Sequence, residues 1–232
     1  MLSSTTKANE WLLSPEDDLQ AQLEFASSGD VIILSPGRYQ GNFVINKPLT
    51  LFGQVGAVID AGGKGHALLL KASDITLKNL TVENWGDDLT EENSGIYSVT
   101  QATNLTIQNN VLEGDGFGIW LHKASQVKVV GNKIKGNNQL RSADRGNGIQ
   151  ISSVENGHIV NNETSEVRDG IYVIASKNNI IEGNTMHDLR YGIHYMYSYD
   201  NSVINNYAYN TRAGYALMSS RRLTIAGNKT IN

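Results

Sequence analysis

A chain of 232 residues with a formal net charge of −4 lacks the basic excess needed to neutralise many phosphates, which argues against a general nucleic-acid binder. With no cysteine it can build neither a disulfide framework nor a thiolate metal site, and no apolar run approaches the ~18 residues of a membrane span. The opening Met1-Leu-Ser-Ser-Thr-Thr-Lys has no hydrophobic leader core, so the expectation for an exported protein is that its signal has been removed from this sequence.

Ser14-Pro-Glu-Asp predicts a helix start, with serine as N-cap, proline at the first helical position and an acidic residue three after the cap. Leu19, Leu23 and Ala26 give that helix one apolar face. Residues 1–30 therefore read as a cap, which a stack of strands requires because an open first layer exposes unpaired backbone groups. Phe43-Val-Ile, Leu49-Thr-Leu and Val58-Ile-Asp predict irregular first coils over residues 31–64, with regular coils over 65–232.

The regular part is set by a repeat. Gly148, Gly170, Gly192 and Gly214 stand 22 residues apart, and Asn162, Asn184, Asn206 and Asn228 follow them at the same period. Read backwards, coils start at Gly65, Gly95 and Gly118. Short alternating apolar runs with no helical pattern between them identify each unit as strand-like. Units of this length cannot bury a hydrophobic face alone and must stack. The expected fold is all-β, a single right-handed parallel β-helix of about 22 residues per coil with a short N-terminal capping helix.

Two coils are longer, and their extra segments, Glu83 to Ser94 and Lys133 to Asn147, have opposite charge. They leave the solenoid two coils apart, about 10 Å by strand spacing. They read either as solvated loops that attract each other or as a docking surface. The asparagine column from Asn110 to Asn228 reads as structural, since asparagine tolerates left-handed turns and stacked amides bond one another.

Stacking turns each repeat position into a column. Ile96, Ile119, Ile149, Ile171, Ile193 and Tyr215 form an inward one, and alternation sends the next position outward. That outward column is Tyr97, Trp120, Gln150, Tyr172, His194 and Ala216, and two residues further stand Val99, His122, Ser152, Ile174, Met196 and Met218. His194, Met196 and Met218 thus bring an imidazole and two thioethers together, a ligand set suited to Cu(I). The competing reading is an adaptable apolar face covered by a partner. His122 lies three coils below His194, about 14 Å away by strand spacing, too far to share a mononuclear site. Arg168, Arg190 and Arg212 each stand two residues before a coil glycine. They form either a satisfied turn ladder, with Asp169 beside Arg168 and Asp188 near Arg190, or a surface for an acidic partner or anionic ligand.

The two outward columns contain no Asp or Glu, whereas sugar lyases, hydrolases and epimerases need convergent carboxylates. Catalysis is therefore not expected. An aromatic platform of Tyr97, Trp120 and Tyr172 supports the alternative of a carbohydrate-binding or carbohydrate-modifying β-helix.

Three segments carry a family resemblance: Ala143-Asp-Arg-Gly-Asn-Gly-Ile; Arg168-Asp-Gly-Ile-Tyr-Val with Leu189-Arg-Tyr-Gly-Ile-His-Tyr-Met-Tyr-Ser; and Arg212-Ala-Gly-Tyr-Ala-Leu-Met with Ser220-Arg-Arg-Leu. They resemble the NosD family of pectate-lyase-like β-helices, maturation factors of nitrous-oxide reductase. The resemblance implies a periplasmic, non-catalytic partner of an ABC transporter made of the ATPase NosF and the membrane protein NosY. It implies support for building the copper-sulfide centre of nitrous-oxide reductase, with the copper chaperone NosL as a further partner. No intrinsic cofactor is implied, only transient Cu(I) contact. The partner-docking residues suggested together with it are Trp120, His122, Tyr172, Arg145, Arg168, Arg190 and Arg212. Members of the family are longer, so the expectation is that the chain is an N-terminal piece ending after a complete coil at Asn232.

Overall fold

The computed structural model describes residues 8–99 and 101–231. The leader reading at Met1 to Lys7 and the terminal Asn232 lie outside the described residues. All strand pairs are parallel, in a 10-stranded and a 15-stranded sheet. The chain winds as a solenoid whose first face is the 10-stranded sheet, running from Glu10–Leu13 to Thr224–Ala226. The larger sheet supplies two further faces. Thr185–Met196 and Tyr207–Met218, each 12 residues long, pass through the corner between those two faces without a break.

The inward column is as the sequence requires. Ile96, Ile119, Ile149, Ile171 and Ile193 pair in register and are fully buried, each such side chain contributing roughly 1.5–3 kcal/mol. The register differs from the glycine reading at one point: Ile96 pairs with Leu68, so Ala67, not Gly65, precedes the buried column there. Gly65 instead takes φ +52 in the turn before it. The early strands Phe43–Ile45, Thr50–Gly53 and Ala57–Asp60 stack in the same ladders as the later ones.

The asparagine column is a hydrogen-bonded ladder. Asn162 donates through Nδ2 to Asn184 Oδ1 at 2.9 Å and to Val129 O at 2.8 Å, and its Oδ1 accepts from the backbone and side-chain nitrogens of Asn132. The left-handed residue is not the ladder asparagine but the one before it: Asn109, Asn161 and Asn205 have φ near 55, alternating with Gly131, Gly183 and Gly227. The ladder residue supplies the amide, and its predecessor makes the turn.

The capping helix spans Leu19–Phe25, with Asp18 as N-cap accepting from Ala21 N. Ser14 is not the cap, because Asp17 Oδ2 accepts from both its backbone N and its hydroxyl and closes a separate turn. Leu19, Leu23 and Ala26 are buried as expected. Asp30 ties the first strand to this cap: its carboxylate accepts from Trp11 Nε1 at 3.0 Å, Asn9 N at 2.9 Å and Ser27 N at 3.0 Å. These bonds, that of Trp11 foremost, hold its pKa down at about 2. A carboxylate held below its unfolded value of ~3.9 stabilises the fold above that value, and the contribution is lost as pH falls through the folded pKa. Acid titration between pH ~4 and ~2 is therefore expected to release the first strand before the later coils, read as faster amide exchange at Trp11 to Leu13. The Asp30→Asn variant should show that exchange already at neutral pH.

Candidate binding groove

The groove lies on the third face and starts with the glycine column. A Cβ on Gly170 would lie 2.5 Å from Met186 Cγ and 2.6 Å from Gly192 O, so this position faces the interior, as does Ile171 after it. Strict alternation fails there, and the residue before each glycine emerges on the outside beside the residue two after it. The pairs across the glycine touch. Phe117 and Trp120 have ring centroids 4.3 Å apart, Tyr191 and His194 5.2 Å, and Asn147 Nδ2 donates to Gln150 Oε1 at 2.8 Å.

This outer column, unseen in the sequence reading, contains Asp169, only 1% exposed. Arg190 clamps it with Nε to Oδ1 at 2.8 Å and Nη2 to Oδ2 at 2.6 Å. His194 places Nδ1 2.9 Å from the same Oδ2. Arg190 is therefore neutralised by Asp169 from the coil below and not by Asp188, which bonds His187 and Asn210. The hydrogen bond to Asp169 raises the Arg190 pKa. Burial pushes the Tyr172 hydroxyl up, with the Asp169 charge adding and Arg168 and Arg190 opposing.

With Nδ1 donating to a carboxylate, His194 keeps Nε2 free, and that nitrogen is buried without a hydrogen-bond partner. A carboxylate behind an imidazole fixes the tautomer and ring orientation that suit the opposite nitrogen to a metal. Beside it Tyr172 donates its hydroxyl to Met196 Sδ at 3.1 Å. Met218 lies level with Met196 on the next coil and is 43% exposed. Among the described residues, no group of three or more His, Cys, Asp or Glu is placed to hold a metal ion, so a metal here would depend on thioether sulfur.

The inserted loop forms one wall. Arg145 donates to Leu140 O at 2.6 and 2.9 Å, to Asn138 O at 3.0 Å and to Glu166 O at 3.3 Å, stapling its own loop while its charge stays at the groove. The two long loops do not pair with each other through ions among the described residues: Arg141 bonds Asp144, Lys135 meets Glu113, Lys133 meets Glu163, and Glu83 meets Arg38. The enclosed space is about 340 Å³, with Trp120, Tyr172, His194 and Met196 on its floor and Arg145, Arg168 and Arg190 around it. A second compartment of about 410 Å³ shares Arg145 and Arg190 and extends to Arg212.

The structure thus gathers Trp120, Tyr172, His194, Met196, Arg145, Arg168 and Arg190 at one groove, with Arg212 at its extension and Met218 outside the lining. His122 stands apart, level with Ser152. The aromatic residues do not form an open platform. Trp120 is 8% exposed, and Tyr97 stacks on His66 at 4.3 Å and donates to Glu92 at 2.8 Å.

Comparison with known proteins adds relatives. Residues 130–232 match the family described as periplasmic copper-binding protein (NosD). The chain is 53% identical over 197 residues to the probable ABC transporter binding protein NosD of Stutzerimonas stutzeri, covering 85% of this chain and 45% of that protein. It is 43% identical over 136 residues to the protein of the same name from Pseudomonas aeruginosa, covering 59% of this chain and 32% of that protein. It spans less than half the length of either. Among solved structures, the polygalacturonase of Erwinia carotovora subsp. carotovora superposes with a TM-score of 0.71 at 14% identity, covering 100% of this chain and 83% of that one. The A-module of Azotobacter vinelandii mannuronan C-5 epimerase does so at 0.66 and 15%, covering 90% and 71%. At such identities the likeness is one of fold alone. No helix among the described residues is long and apolar enough to cross a membrane.

Proposed function

The chain belongs to the NosD family, and from that premise we propose that it serves as a periplasmic, non-catalytic scaffold that docks on an ABC transporter of NosF and NosY. In this reading it supports assembly of the copper-sulfide centre of nitrous-oxide reductase, with the copper chaperone NosL as a further partner and transient Cu(I) contact on this face. The observation that carries the copper step is the Asp169–His194 pair, a buried carboxylate on Nδ1 with Nε2 left free. His194 Nε2 and Met196 Sδ would hold Cu(I), with Met218 on the adjacent coil. Imidazole and thioether are soft enough for that ion, and Tyr172 steadies the Met196 sulfur. Docking draws on the same face, whose arginines suit acidic surfaces of partners.

Anaerobic titration with Cu(I) against a chromophoric chelator tests this reading. One equivalent should bind the wild type, and the Met196→Leu/Met218→Leu double variant should bind at least a hundredfold more weakly. Equal binding by both, or binding by neither, would remove copper from the role of this face and leave it as a docking surface.

A further inference from the structure

We infer that the groove also binds a small oxyanion, held between Arg168 and Trp120. The charge balance comes first. Three guanidiniums, those of Arg145, Arg168 and Arg190, meet a single carboxylate, that of Asp169, in the groove lining. That carboxylate is already taken by Arg190 and His194. Arg168 has no carboxylate within 4.0 Å among the described residues, and neither has Arg145. Two positive charges are left facing a half-enclosed space.

The donors come second. Trp120 Nε1 and Arg168 Nε are both buried without a hydrogen-bond partner, and Trp120 as a whole is 8% exposed. A buried N–H left unpaired is destabilising because its lost hydration is not replaced, and both of these can only donate. What completes them must be an acceptor, and what balances the groove must be negative. An oxyanion meets both demands, whereas a metal cation or a neutral hydroxyl meets at most one. Phe117 packs edge-on against Trp120 and keeps that side apolar, where a charge-assisted hydrogen bond is stronger than in water. The guanidinium fork suits carboxylate and tetrahedral oxyanions alike.

This inference does not rest on the copper reading, since it uses Arg168 and Trp120 and neither methionine. The chain has three tryptophans, so the indole N–H resonances of the ¹⁵N-labelled protein provide a local readout, with Trp120→Phe assigning the Trp120 peak. Sulfate, as a tetrahedral dianion, and acetate, as a carboxylate, are each titrated at constant ionic strength with chloride as the balancing salt. A saturable shift confined to the Trp120 peak is expected with at least one of them, weakened at least tenfold by Arg168→Gln. Preference for sulfate would indicate a free dianion, and preference for acetate a carboxylate ligand. Should Arg168→Gln fail to fold, Arg168→Lys, which keeps the charge and loses the fork, is expected to weaken binding several-fold. Shifts no larger than those from chloride, or equal shifts in wild type and variant, would overturn the inference.

Discussion

Replacing Asp169 by alanine is expected to lower the unfolding free energy by about 3 kcal/mol and to weaken Cu(I) binding by roughly ten- to a hundredfold. The first figure follows from breaking one side of a buried ion pair, which costs about 3–5 kcal/mol. The lower end applies because Arg190 is 21% exposed while Asp169 is 1% exposed, so water can reach the stranded guanidinium in part. The second follows from losing the group that orients a ligand imidazole. His194 would be free to turn, and its two ring nitrogens would exchange roles. Asp169→Asn should be nearly as damaging, since its amide cannot accept from Arg190 and His194 at both oxygens. Urea unfolding and the chelator titration on the same preparations check the two effects. A stability change under about 1 kcal/mol would mean that solvent replaces the carboxylate and that the clamp is not what orders this corner.

The Asn162→Leu variant is expected to lose about 3–5 kcal/mol, with no change in groove chemistry. Leucine keeps the branching and heavy-atom count but is bulkier, and it removes an amide that donates to two carbonyl oxygens and accepts from two nitrogens within the buried interior. Each partner left unsatisfied in the interior costs about 1–3 kcal/mol, partly relieved by relaxation of the neighbouring coils. The loss should appear as a fall in the urea midpoint. Asn228→Leu is the control, because that amide is only partly buried and its replacement should cost markedly less. Equal losses at the two positions would show that burial does not set the ladder's worth.

Much of the fold was legible because a solenoid writes its register into the sequence. The recurring coil glycine, 22 residues apart from Gly148 onward and 30 apart across the inserted loop, marks both the isoleucine column and the outward column from Tyr97 to Ala216, and the pairings Trp120 with Gln150, Gln150 with Tyr172 and Tyr172 with His194 follow from it. What was missed came from places where the two-residue alternation fails. At the corner glycine two successive positions face inward, so Asp169 faces the groove beside Tyr172 where simple alternation would have pointed it into the apolar core. The signal was present as spacing: Phe117 and Trp120, Asn147 and Gln150, and Tyr191 and His194 are all three residues apart across a glycine. Likewise proximity in sequence points Arg190 to Asp188, whereas in a stacked structure the partner lies one coil away, at Asp169. The helix starts later than the Ser-Pro pattern suggests because Asp17 accepts from Ser14 and closes a separate turn, leaving Asp18 as the cap.

The uniform register has a kinetic consequence. Strand partners such as Ile149 and Ile171, or His194 and Ala216, are separated by one coil of chain wherever they lie along the axis. No contact of this kind asks the chain to close a loop as long as the protein, and loop closure costs grow only with the logarithm of length. Contact order therefore stays low for an all-β protein, and folding can start at any well-packed pair of coils and spread to its neighbours. The two coils lengthened by the loops that follow the strands ending at Glu83 and Lys135 carry the largest closure penalty. They are the points where such a spreading front should pause, with the uninterrupted coils from Gly148 onward assembling ahead of them.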